Sequence, residues 1–394
     1  MNKDVRYLLS YTAITGTTVA MFRVLFNLFL RDAGYSNSVI GSTQSAALWG
    51  TAIIGLLMGI LADNLGRKRM MIYTTVLMPL VAIMMIFNVS VPVLLTLSFF
   101  RGGFAAARYT IVLAAFTTST DSKSRAKAFG ANFGLMMGSG VFGNFIGGLL
   151  GDIIGLRITL ILSMIVTFAA LIPLFKLEPD KIKTERVNPF DFSGFDKQQK
   201  KIMVLFFIST ATVGFGAGLF IHFGNLIFKD LFGMTPTGIG IALSIAQLGT
   251  ALGSTFSHKL GKTFGPLKFV LTMQILVIPL ILSFAFIRDP YAFTVVYALR
   301  FVFMNTTVPI MNSVVFSHLP SDKLSTISGM NGFLNNSVRA VAAMLFGVIV
   351  GASISGYTTL FILSTVFYAA SAFIAFLIYK SYENLETTKD LFDR

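Results

Sequence analysis

Twelve runs of continuous apolar residues, each of the roughly 20-residue length that crosses a bilayer, recur along the chain between short polar breaks. They fall near 5–30, 37–61, 70–89, 91–118, 126–150, 156–175, 202–227, 235–256, 267–287, 291–317, 325–350 and 356–379. Apolar residues do not alternate with polar ones inside a run, so barrel strands are excluded and each run is predicted to be a helix. A helix satisfies its backbone groups internally, which is what hydrocarbon demands. One long polar stretch, 176–201, rich in Lys, Asp, Glu and Pro, lies between the sixth and seventh runs. The pattern predicts an all-α membrane protein with twelve transmembrane helices in two pseudo-symmetric six-helix bundles. The bundles span 1–175 and 202–394, the second ending in a short cytoplasmic tail, and a cytoplasmic linker, 176–201, joins them. The first run is interrupted by threonines and followed by no small-residue cleavage site, so it reads as the first span rather than a signal peptide.

The two halves repeat. Arg101 is followed by Gly130 and Asn132, and Arg300 by Gly329 and Asn331 at the same spacing, each pair offset by 199 residues. Gly66 and Gly261 are expected to occupy matching loops, with His258 in the place of Asp63. Six helices per half give both halves one orientation, with the repeat axis along the membrane normal.

Composition supports this picture. Hydrophobic residues make up 55% of the chain, charged residues 12%, and mean hydropathy is +0.77. A soluble chain of this size would carry far more polar surface. The net charge of +14 points to a nucleic-acid partner only until the cations are placed: 22 of the 31 Lys and Arg fall in the segments on one side of the spans. That bias puts both termini in the cytoplasm and reads as topology and attraction to lipid headgroups, without nucleic acid. The expected location is the plasma (inner) membrane, as a multi-pass protein. There is no cysteine, which excludes disulfides and thiolate chemistry.

The charged hinge Gly59-Ile60-Leu61-Ala62-Asp63-Asn64-Leu65-Gly66-Arg67-Lys68-Arg69 sits between the second and third runs. The pattern G-x-L-A-D-x-x-G-R-K-R resembles the signature between helices 2 and 3 of the major facilitator superfamily of transporters, departing from it at Asn64. The resemblance implies the twelve-helix fold and alternating access, with two bundles rocking about a central site. It gives Asp63, Gly66, Arg67 and Arg69 a gating role, through charges that pair and re-pair at helix ends. Leu97-x-x-x-Arg101, followed by small residues, is similar to a degenerate form of the family's fourth-helix motif, whose arginine is linked to proton coupling. Gly130-(x8)-Ser139-(x3)-Gly143-Asn144-(x2)-Gly147-Gly148 resembles the motif of the family's antiporters, with Ser139 replacing a glycine and Asn144 the proline.

Five arginines lie inside the spans, Arg23, Arg101, Arg108, Arg300 and Arg339, and no Asp or Glu does. An arginine in the bilayer costs at least ~2.5 kcal/mol unless it meets water or a partner. Five without internal acids predict a hydrated, positive cavity, suited to an anion that guanidinium binds bidentately. Arg108 and Arg339 fall near span centres and are the candidate substrate anchors. Arg23, Arg101 and Arg300 sit nearer the outer ends, where snorkelling is the simpler reading. Arg101 and Arg108 share a face at i, i+7, and Asn331, Asn335 and Arg339 form a stripe. Thr12, Arg23 and Asn27 fall on one side of the first span. Asn305 and Asn312 on the tenth could bind solute or lock helices. His222, following Gly214-x3-Gly218 on the seventh helix, is the one histidine within a span and a candidate for proton coupling with Arg101.

No Walker loop, triad or metal cluster is present, so neither an enzyme nor a cofactor is expected. The first reading is a monomeric secondary transporter of a small organic anion or amphiphile. The second is a proton-coupled multidrug efflux antiporter, favoured by the remnant antiporter motif and opposed by the missing buried acid. The third is a scaffold without transport, which would have no use for a gating hinge.

Overall fold

The computed structural model describes residues 3–87, 89–120, 122–178, 195–320, 323–351, 353–383 and 388, without the side chains of 56, 58–65, 122, 123, 126 and 325. Most of the expected linker, 176–201, therefore lies outside the described residues, as does the Asp63 side chain. The described chain forms twelve helical rods: α1 (Lys3–Asp32), α2 (Asn37–Leu65), α3 (Arg67–Met84), α4 (Val91–Thr118), α5 (Ser122–Ile153), α6 (Leu156–Phe175), α7 (Lys197–Phe232), α8 (Pro236–Phe264), α9 (Pro266–Ser283), α10 (Pro290–Ser317), α11 (Leu324–Val350) and α12 (Ser355–Tyr382). Nine of them, among the described residues, are long and apolar enough to cross a membrane.

The rods start and stop where local chemistry dictates. Pro92, Pro236, Pro266 and Pro290 sit in first turns, where a missing N–H costs nothing. Asp196 and Gln199 form a reciprocal capping box at the start of α7. Between α2 and α3, Gly66 has φ 93°, and between α8 and α9, Gly265 has φ 83°. An L side chain rarely adopts that conformation, so both tight reversals need glycine. This corrects the expected pairing: Gly261 lies within α8, and the counterpart of Gly66 is Gly265, offset by 199 like the other repeats.

Two compact units result. Unit 1 comprises Met1–Glu185, His222–Ile245 and Ala343–Val348; unit 2 comprises Arg186–Ile221, Ala246–Ala342 and Ile349–Arg394. In unit 1, α2 packs on α4, and α1 on α5 and α6. In unit 2, α9 packs on α10 and α12, and α12 on α7. Large apolar side chains remain exposed all round, Val348 at 70%, Phe286 at 68% and Ile153 at 67%, as lipid-facing surface requires.

Helix crossings inside each unit use equivalent glycines, because only a missing side chain lets backbones approach this closely. A Cβ on Gly50 of α2 would lie 1.8 Å from the Phe99 carbonyl oxygen of α4. On Gly249 of α8, 199 residues later, it would lie 2.9 Å from the equivalent carbonyl, that of Ala298 on α10. Internal duplication thus extends from sequence to packing.

Candidate functional site

Unit 1 is clasped at the end remote from Lys3 by segments of both sequence halves, and the clasp is reciprocal. The Asn27 amide of α1 donates to the His222 carbonyl (2.8 Å) and to Asn225 Oδ1 (3.1 Å) of α7, and the Asn225 amide donates to the Val24 carbonyl (2.8 Å). Asn27 and Asn225 are equivalent positions, 198 residues apart, so each half offers the other the same group. Asn27 Oδ1 also accepts from Gln44 of α2. Asn27 is 1% exposed, with both amide hydrogens taken up in the clasp. One turn on, Arg31 pairs with Asp230 and also donates to Asn37. Asp152 at the end of α5 accepts from the Thr237 N–H (2.8 Å), placing an anion where the α8 dipole is positive.

Glycines complete the clasp with the same symmetry. A Cβ on Gly41 of α2 would meet the Ala343 carbonyl oxygen of α11 at 2.7 Å, and one on Gly240 of α8 would meet that of Asn144 on α5 at 2.5 Å. A Cβ on Gly148 would meet the Pro236 oxygen at 2.3 Å, and one on Gly347 that of Asn37 at 2.4 Å. The antiporter-like stripe of α5 therefore acts on two sides: Gly143 and Gly147 admit α1, and Gly148 admits the start of α8.

The deep arginines gather within the units. In unit 1 the Arg101 guanidinium lies over the rings of Phe22 and Phe26 of α1, 5.4 and 5.5 Å from their centroids. Its Nε is buried without a partner. Seven residues on, Arg108 is 8% exposed and lies near the Tyr11 hydroxyl, which meets Thr75 Oγ1 at 2.7 Å; Arg108 Nη1 has no partner. The shared face expected of Arg101 and Arg108 is the face toward α1. Nearby, Thr12 donates to Asn132 Oδ1 across to α5 (2.8 Å). Arg23 is exposed, apart from buried Thr12 and Asn27.

In unit 2, Arg300 is 3% exposed, so snorkelling is not its state. Its guanidinium lies 5.5 Å from the Phe220 ring, 4.9 Å from Phe301 and 5.4 Å from Tyr368, and it donates to the Tyr368 hydroxyl. Depth along a span misled the expectation, because a cage of rings can hold a cation where no water reaches. Phe22 with Arg101 and Phe220 with Arg300 are equivalent pairs. Arg339 of α11 donates from Nε to Asn335. Asn331 Oδ1, on the same stripe, is buried without a partner. Among the described residues, none of Arg101, Arg108, Arg300 and Arg339 pairs with a carboxylate.

Glycines on α7 set this arrangement. A Cβ on Gly218 would lie 2.8 Å from Arg339 Cα, and one on Gly216 would lie 3.0 Å from the Tyr368 ring. The helix breaks just beyond, in a 3-10 turn at Ile221–Phe223, so His222 sits in that turn and not on a regular helix face as expected. Asn305 donates to Thr250 Oγ1 (3.2 Å) and the Phe301 carbonyl (2.8 Å), which ties α10 to α8. Asn312 is half-buried on α10. At the charged hinge, Arg67 donates to the Ala114 carbonyl (3.1 Å) and Thr118 (3.2 Å) at the end of α4, and Lys68 to the Phe175 and Leu177 carbonyls. Arg69 is exposed. Sequence reasoning did not single out Asn225, Arg31, Asp230 or Tyr368; a repeat offset of 198–199 joining complementary residues was the available signal for the first three.

The family model described as Major Facilitator Superfamily matches residues 8–343 and 206–392. The quinolone resistance protein NorA of Staphylococcus aureus (strain COL) is 22% identical over 357 residues, covering 89% of this chain and 90% of that protein. Among solved structures, the nucleoside transporter NupG superposes with a TM-score of 0.78 at 15% identity, covering 96% of this chain and all of that one. A bacterial homologue of the human lysosomal transporter Spinster, inward-facing and occupied, gives a TM-score of 0.76 at 14% identity, with 96% of each chain covered.

Proposed function

Since the chain belongs to the Major Facilitator Superfamily, a family of transporters, and is a multi-pass secondary transporter of a small solute working by alternating access, we propose that its solute is an organic anion. One observation carries this reading: among the described residues, four buried or half-buried guanidiniums, two per unit, have no carboxylate partner. A transporter of lipophilic cations would want the opposite charge in its interior. Arg108 and Arg339 are the anchors; Asn335, one turn before Arg339 on α11, Asn305 and Asn312 on α10, and Arg23 and Asn27 on α1 are the further candidate contacts, Asn27 only once it leaves the clasp. Residues 1–175 and 202–394 form the two six-helix bundles, with 176–201 the linker and both termini in the cytoplasm of a plasma-membrane monomer. The cation excess on that side supports this orientation. Asp63, Gly66, Arg67 and Arg69 form the gating hinge, and Asp63→Asn is expected to slow turnover while leaving folding intact.

The NorA relative and the remnant antiporter motif favour a second reading, proton-coupled drug efflux, with Arg101 and His222 in the coupling. Thermal stabilisation of the purified protein separates the two, because a ligand that binds only the folded state raises the midpoint. Organic anions and lipophilic cations are tested side by side on wild type, Arg108→Ala and Arg339→Ala. Anion stabilisation that disappears in the variants supports the first reading. Cation stabilisation indifferent to both arginines overturns it.

A further inference from the structure

Building on the anion reading, we propose that Arg300 and Arg339 act as a pair that makes unit 2 prefer a divalent oxyanion group, two carboxylates or a phosphate, over a single carboxylate.

Arg300 is the most deeply placed cation of unit 2, at 3% exposure. Three aromatic rings and the Tyr368 hydroxyl hold its guanidinium in one orientation. Ring faces stabilise a cation but do not neutralise it, and its Nε–H is buried with no acceptor. Both arginines flank one short stretch of α7, Arg300 over the Phe220 ring and bound to Tyr368, whose ring meets Gly216, and Arg339 against Gly218, and the polar partners they hold are neutral, Tyr368 and Asn335. Two like charges in a low-dielectric interior oppose each other, and an anion bound beside them relieves both at once. A monoanion leaves one of the two charges unmatched. A dianion matches both.

The two arginines have different tasks. Arg339 is partly exposed on the stripe that also bears Asn335 and Asn331, so it is the group that touches the anion. Arg300, sealed behind, is a positioning residue that supplies the second charge without leaving its cage. The α7 glycines hold both parts in register, Gly218 against the Arg339 backbone and Gly216 against the Tyr368 ring.

The test measures apparent affinities by thermal stabilisation for phthalate, phenyl phosphate, benzoate and neutral benzamide. Wild type is compared with Arg300→Gln and Tyr368→Phe. The expected result is that phthalate and phenyl phosphate bind about tenfold or more tighter than benzoate, while benzamide does not bind. Arg300→Gln should bring the dianion-to-monoanion ratio toward one while benzoate binding persists, and Tyr368→Phe should move it the same way by less. Should Arg300→Gln fail to fold, Tyr368→Phe decides, since it keeps the ring under the guanidinium. A ratio unchanged in the folded variants, or a wild type indifferent to anion charge, overturns the pairing while leaving the anion reading intact. A wild type that binds lipophilic cations and no anion removes both. Tight phenyl phosphate with weak phthalate assigns the site to phosphate, and the reverse to dicarboxylates.

Discussion

Units 1 and 2 hold the same guanidinium over the same phenylalanine, Arg101 on Phe22 and Arg300 on Phe220, yet they surround it differently. In unit 1, Thr12 occupies Asn132 and Tyr11 meets Thr75, while one nitrogen each of Arg101 and Arg108 has no partner. In unit 2 the equivalent of Asn132 is Asn331, whose Oδ1 has no partner, and a second arginine, Arg339, lies on the same stripe. Duplication supplied one scaffold. Divergence engaged this asparagine in one unit and left its equivalent open in the other, and the proposed pairing of Arg300 with Arg339 predicts the stronger anion contact in unit 2.

The comparison breaks most easily at the second cations. Arg339→Gln should weaken organic-anion binding by about 2–4 kcal/mol, on the order of 30-fold or more in Kd. Arg108→Gln should cost less, about tenfold or under, because its equivalent of Asn331, Asn132, is already engaged by Thr12. Titrations of the two variants side by side check the ranking, and equal losses would place the two units on the same footing.

Next come the glycine crossings of the clasp in unit 1. Gly240→Val puts a branched side chain where even a Cβ meets a carbonyl at 2.5 Å. The clasp should then part more often, on the order of tenfold for ~1.4 kcal/mol of bias. The cysteine-free chain gives a clean reporter: Ala343→Cys, a fully buried position facing Gly41, should react faster with a water-soluble thiol reagent in the Gly240→Val background. An unchanged rate would mean that the glycines serve packing alone.

The polar part of the clasp should matter less. The side chains of Arg31 and Asp230 are 29% and 19% exposed, so Asp230→Asn should cost only about 0.2–1 kcal/mol, measured as a small drop in thermal midpoint that high salt mimics. Asn27→Ala and Asn225→Ala should each cost about 0.6 kcal/mol. Their double variant should fall short of the sum, since each amide depends on the same approach of α1 to α7.

Much of the fold was legible because bilayer thickness forces apolar runs of one length. The stripe Asn331, Asn335 and Arg339 was legible for the same reason, as helical periodicity fixes which residues share a face. The clasp was not, because Arg31, Asp152 and Asp230 at span ends look like ordinary loop charges until α1 and α7 meet. Arg300 was misjudged since position along a span says nothing of the rings around it. Gly261 was mistaken for the turn glycine because α8 runs about two turns further, to Phe264, than its apolar run.

The most direct test is counterflow in proteoliposomes, with a labelled aromatic dicarboxylate outside and the unlabelled compound inside, for wild type and Arg339→Gln. The account predicts transient accumulation by wild type and none above empty liposomes for the variant, with both proteins equally folded. Accumulation undiminished by Arg339→Gln, or exchange of lipophilic cations in its place, would contradict it.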